Sequence, residues 1–291
     1  MKLSPLFALV LLLATAALAD EPTLPNRPKV PGEFLLHLRS REMEPGGDKH
    51  REVHKETRWK AAQTAIIVCD MWDDHYCKLS AQRVGVMAPK MNEMLSAARD
   101  RGVMIIHAPS GTMDVYENTP YRKRMKNAPA ASAPITLLNW CYRDEKREPD
   151  LPVDISTPCD DPIVGEAVRV FSRQHPAIDI IGYDGVSDSG QEIFNVCKQE
   201  GITNIAILGV HTNMCVLGRS FGIRQQVRIG MNVVLVRDMT DAMYDPRDPP
   251  YVSHVRGTEM CIEHIEKYWC PSIESGDLMK VIPGTDEAEK K

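Results

Sequence analysis

The chain carries almost no surplus charge: 35 lysines and arginines stand against 40 aspartates and glutamates, a formal net charge of −5. With no basic excess to neutralise phosphates, nucleic acid is excluded as the expected partner. Outside the N-terminus no apolar run approaches the roughly 20 residues that span a bilayer. No internal repeat is present, which excludes a solenoid. The eight cysteines show neither a CxxC pair nor zinc-knuckle spacing, so they announce neither a redox motif nor a zinc ribbon. In a chain of 291 residues they are also too sparse to be a small disulfide scaffold.

What is present is an ordinary globular balance, 43% hydrophobic and 26% charged. Lys2, an apolar run from Leu6 to Ala19 and small residues at Ala17 and Ala19 read as a cleaved signal peptide over 1–19. Export follows as an expectation, periplasmic or extracellular, with no membrane association once the signal is removed. Export permits disulfides; Cys141 with Cys159, and Cys261 with Cys270, are candidate pairs that sequence cannot decide. Residues 20–60 are polar and proline-bearing and read as a surface leader. Residues 283–291 read as a disordered tail.

Between them, 61–282 reads as one α/β domain. Thr64 to Cys69 is a continuous β-rich apolar run, the pattern of a strand covered on both faces. Similar runs recur at Val103–Ile106, Val168–Phe171, Ile205–Leu208 and Val233–Val236. Helix-length segments alternate with them: Gln82–Arg101, Gly190–Glu200, Val216–Gln226 and Tyr251–Tyr268. This alternation predicts a doubly wound, mainly parallel sheet with helices on both faces. Gly102 and Gly201 are placed as left-handed helix ends. Residues 128–165 hold six prolines (129, 134, 149, 152, 158 and 162) and no sustained period, so they are expected to run as a surface excursion.

Ligands of such sheets bind beyond the carboxyl ends of the strands. Asp70, His107, Arg173, the segment Gly209–Cys215 and Asp238 follow the five runs. A carboxylate, a basic group and a thiol are thus expected along one edge. Cys215 opens an apolar helix, where the dipole and unpaired N–H groups lower a thiol pKa and can hold an oxyanion.

The segments Val68-Cys-Asp70-Met-Trp-Asp-Asp and Gly209-Val-His-Thr-Asn-Met-Cys215-Val, with the Asp238-Met-Thr-Asp-Ala run, resemble the signature segments of the isochorismatase-like cysteine hydrolases, a family that includes nicotinamidases. The resemblance runs from about Thr64 to Tyr268. It implies a Rossmann-type three-layer fold and an Asp-Lys-Cys triad. Asp70 matches the general base and Cys215 the nucleophile of an attack on an amide-like C–N bond. Where the family lysine is expected stands Arg173, which keeps the charge but not the tunable ammonium. The resemblance also implies a cis peptide between Val210 and His211, aiming N–H groups toward an oxyanion with Cys215, and assembly as a homo-oligomer.

Trp72, with His211 and Asn213 beside the nucleophile, is assigned to substrate contact. Trp140, Tyr142 and Tyr76 are further candidates for the pocket wall. No Asp-x-His motif follows the second strand, where His107-Ala-Pro-Ser-Gly-Thr-Met-Asp114 stands. Asp73, His75, His107 and Asp114 are a weak ligand pattern, so no metal ligand is assigned and no cofactor is expected. The reading is an exported cysteine hydrolase of a small-molecule substrate. The alternatives are a nicotinamidase-type metal-assisted amidase, or a binding protein that kept the fold without catalysis. A thiol-redox protein is disfavoured because no cysteine lies close to Cys215 in sequence.

Overall fold

The computed structural model describes residues 25–47 and 49–282. The signal segment and the tail fall outside the described residues. Eight strands form one sheet: β1 Glu33–Met43, β2 His50–Lys60, β3 Thr64–Cys69, β4 Met104–Ala108, β5 Gly185–Val186, β6 Asn204–Val210, β7 Asn232–Asp241 and β8 Ser272–Ile273. Their order is β2-β1-β8-β7-β6-β3-β4-β5. From β8 to β5 every pairing is parallel, and the β1–β2 hairpin adds two antiparallel strands at one edge.

The sheet is covered on both sides because its central strands are apolar at every position. Ala65, Ile67 and Cys69 of β3 join one core, together with Ile205 and Ile207 of β6. Ile66 and Val68 join the opposite core with Ala206 and Leu208. This is the period-2 alternation of a buried strand. Helix α1 Lys78–Arg99 fills the second core through Val84, Ala88, Met91, Met94 and Leu95. Helix α2 is Met113–Tyr116 and α3 is Pro120–Asn127. The first core is filled by α4 Gly190–Glu200, α5 Cys215–Gly218, α6 Ile223–Arg228 and α7 His254–Tyr268. The fold is the doubly wound α/β class expected from sequence.

Four local expectations need correction. Residues 33–60 are part of the sheet, with Phe34, Leu36 and Trp59 buried in the second core. Their charge belongs to an outer hairpin, held by ion pairs such as Arg39 to Glu266 at 2.7 Å. Val168–Phe171 is not a strand: Val168 and Val170 are exposed, and the slot beside β4 is taken by the two residues of β5. Val216–Gln226 is two short helices. Helix α1 begins four residues earlier than expected, because its cap comes from the excursion: the Asp161 carboxylate accepts from the N–H groups of Lys78 and Leu79, both at 2.8 Å. Gly102 (φ 79°) and Gly201 (φ 68°) are left-handed as expected. All eight cysteines are free thiols, so neither pair considered from sequence is joined, and Cys159 lies instead beside Cys77.

Candidate active site

Strands β3 and β6 are neighbours, with Cys69 paired to Gly209 at their carboxyl ends. The chain leaves both strands in tight turns at the same level. Asp70 takes a left-handed backbone (φ 47°) and is fully buried. Gly209 has φ 104°, and a Cβ there would lie 2.0 Å from the Cys69 carbonyl oxygen, so this position demands glycine. The turn after β6 is held by hydroxyls: Thr240 Oγ1 donates to the Gly209 carbonyl at 2.7 Å, and Thr212 Oγ1 lies 2.7 Å from Thr240 Oγ1. The peptide between Val210 and His211 is cis.

Asp70 is met from three sides. Oδ1 accepts the Ser110 N–H at 2.8 Å, Oδ2 is 3.0 Å from both Nε and Nη2 of Arg219, and the Cys215 thiol bonds to the same carboxyl group. The His211 backbone N–H is directed at the Cys215 sulfur. Burial pushes the Asp70 carboxyl up, while Arg219, the Cys215 thiol and Ser110 pull it back. Burial also pushes the Cys215 thiol far up, the Asp70 charge adds to this, and Arg219 opposes it. The resting pair is therefore a thiol donating to a carboxylate, not the thiolate expected from a helix dipole. Helix α5 has only four residues, too few for much of a macrodipole.

The cation at this carboxylate is Arg219, not Arg173. Because 163–171 runs outside the sheet, Arg173 is not carried to the strand edge. Its backbone pairs with Asp73, at 2.9 and 3.2 Å, and its side chain is exposed. A usable signal for Arg219 was in the sequence: it follows Cys215 by four residues, one helical turn on the same face. Arg219 is steadied by the excursion. Trp140 pairs with it in an isolated bridge, the guanidinium carbon lies 5.5 Å from the Trp140 ring, and Cys141 N–H donates to the Gly218 carbonyl at 2.6 Å.

Trp72 sits beside the acid turn, stacked on Phe171 at 4.3 Å with its Nε1 donating to the Ser110 carbonyl. His211 is buried, 2.6 Å from Ser80 Oγ and edge-on to His75; burial drives its pKa down to about 3, so it stays neutral. The Asn213 side chain bonds both backbone groups of Met243 at 2.9 Å, which pins the turn. Tyr142 is exposed. Ser80, Ser110 and Phe171 escaped sequence reading because they come from segments with no motif.

Two other strand-end residues serve the fold. His107 is buried between Gln174 and Asp184, each at 3.0 Å. Asp238 lies inside β7 and accepts from Ser275 N–H and Oγ. Asp73 accepts from Ser172 and Arg173, and Asp114 lies in the first turn of α2. Asp73, His75, His107 and Asp114 do not gather as a ligand group among the described residues.

A mainly parallel α/β sheet with thiol, carboxylate and guanidinium joined beyond adjacent strands defines the class. Residues 64–248 match the sequence pattern of the isochorismatase domain, and the chain belongs to the isochorismatase family. No curated protein matches it. Among solved structures it is similar to a cysteine hydrolase from Pseudomonas syringae pv. phaseolicola, at 18% identity and a TM-score of 0.45, over 75% of this chain and 92% of that one. It is also similar to an isochorismatase-like hydrolase from Alkaliphilus metalliredigens, at 14% identity and a TM-score of 0.44, over 76% and 98%. A third is an isochorismatase family protein from Burkholderia thailandensis, at 14% identity and a TM-score of 0.42, over 75% and 96%.

Proposed function

We propose that this protein is an exported cysteine hydrolase that cleaves a C–N bond of a small amide-like substrate, with Cys215 as nucleophile and Asp70 as general base. The observation that carries the reading is the direct contact of the Cys215 thiol with a buried carboxylate that Arg219 holds ionised. In the first step Asp70 takes the thiol proton as the sulfur attacks the carbonyl carbon. The oxygen of the tetrahedral adduct is met by backbone N–H groups at the start of α5, which have no intrahelical acceptor. Collapse breaks the C–N bond, and Asp70 returns its proton to the leaving nitrogen. Water then attacks the thioester, its proton passing through Asp70 back to sulfur, and the carboxylic acid leaves.

Arg219 takes the electrostatic role that sequence reading gave to a cation after the third strand. Trp72 and Phe171 offer a flat apolar wall for the substrate. No step is routed through a metal. Export rests on the N-terminal run from Leu6 to Ala19. The test is a panel of small amides and esters with the purified chain, followed by peptide mapping after a reactive acyl probe. Cys215 should carry the label, and Cys215→Ala should abolish turnover with little loss of stability, since the side chain is small. Label on another cysteine with Cys215 untouched removes the proposed nucleophile.

A further inference from the structure

Away from the acid–thiol pair, the start of α1 and the excursion bring together groups that hydrolysis does not use. The Cys77 sulfur, the Cys159 sulfur and an Asp161 oxygen lie within 4.8 Å of one another, and all three residues are buried. We propose that Cys77, Cys159 and Asp161 form a binding site for a thiophilic divalent cation of the zinc class, fastening the excursion to the start of α1.

The spacing supports this. A tetrahedral zinc with Zn–S near 2.3 Å and Zn–O near 2.1 Å sets sulfur and oxygen ligands about 3.6 Å apart. Cys77 Sγ lies 3.6 Å from Asp161 Oδ1. A fourth oxygen, Asp160 Oδ1, is 3.3 Å from the same sulfur. Two thiolates and one carboxylate around a divalent cation leave one net negative charge, and the surroundings suit an anion. The N–H groups of Lys78 and Leu79 already point at Asp161, at the positive end of the 22-residue α1. Arg247 braces the loop by donating to the carbonyls of Cys159 (3.2 Å) and Asp161 (2.9 Å). Both thiols release their protons on binding, one cation in and two protons out, so uptake strengthens as pH rises. The two sulfurs also pack against Met243, Tyr76 and Met214, the last adjoining the nucleophile. Occupancy would therefore stiffen the wall beside Cys215.

The full chain, reduced and stripped with a chelator, is titrated with Co2+ and then Zn2+. One cation per chain, a tetrahedral cobalt–thiolate spectrum and a higher melting temperature are expected. Cys77→Ser and Cys159→Ser should each weaken binding by about 100-fold or more, and Asp161→Asn by about 10-fold or more. Zinc should shield Cys77 and Cys159, and no other cysteine, from alkylation in the wild-type chain, a readout that needs no variant. Failure of the reduced wild-type chain to take up a cation overturns the proposal, as does undiminished uptake by Cys77→Ser. A Cys77–Cys159 disulfide in the chain as purified, with no cation bound after its reduction, overturns it in favour of a covalent clasp.

Discussion

Replacing Arg219 with methionine removes a guanidinium while keeping most of its apolar bulk. Two unit charges 3.0 Å apart attract by about 5 kcal/mol at an effective dielectric of about 20. The Arg219 side chain is 29% exposed, so water screens part of this and roughly 2–3 kcal/mol remains. That energy acts on whichever group holds the negative charge, carboxylate before the proton moves and thiolate after it. Losing it should raise both pKa values and leave less reactive sulfur at any given pH. The assay needs no substrate: Cys215 alkylation by iodoacetamide is followed by peptide mapping from pH 6 to pH 10. Arg219→Met should slow labelling of Cys215 by about 30- to 150-fold at pH 8 and move the profile to higher pH. Arg219→Lys keeps the charge but loses the paired nitrogen contact, so it should fall between. A methionine variant that labels at the wild-type rate, with its profile in place, would refute the role given to Arg219.

Other consequences are open to measurement. Glu148 is buried, and although burial alone would raise it, His264, Arg224 and Trp269 hold its carboxyl down at about 2. A carboxyl lowered on folding stabilises the protein above its unfolded pKa of about 4.5, and the contribution, roughly 3 kcal/mol, fades as pH drops from there toward 2. Urea melts along that range should show this slope, and Glu148→Gln should lack it while being less stable near neutrality. Gly209→Ala forces a Cβ against the Cys69 carbonyl at a left-handed φ; the expected loss is roughly 3 kcal/mol or more, and a variant with wild-type stability would contradict the turn geometry. Leu36→Ala should cost about 2–5 kcal/mol in the same melts, whereas a detachable leader would tolerate it.

The sheet was legible where strands are apolar at every position, and so were the acid and thiol that follow two of them. The pattern at 168–171 misled because alternating valines in exposed coil resemble a short buried strand, while Gly185–Val186 is too brief to carry any pattern. The β1–β2 hairpin was missed for the opposite reason: an outer ribbon stabilised by ion pairs has little hydrophobic period to read. Arg219 was passed over because attention followed strand ends, and it stands at the end of a helix. The N-cap of α1 lies over 80 residues away in sequence, a distance no local signal spans.

Because Asp70 and the 210–215 turn leave adjacent parallel strands at matched residues, their separation is dictated by the ladder itself, about 4.8 Å between strands. The reacting pair is thus anchored in the least deformable part of the molecule. Everything that would recognise one guest over another, from Trp140 to Phe171, belongs to coil that can be rebuilt without disturbing it. Such a division lets a lineage exchange its choice of guest while leaving the proton relay intact.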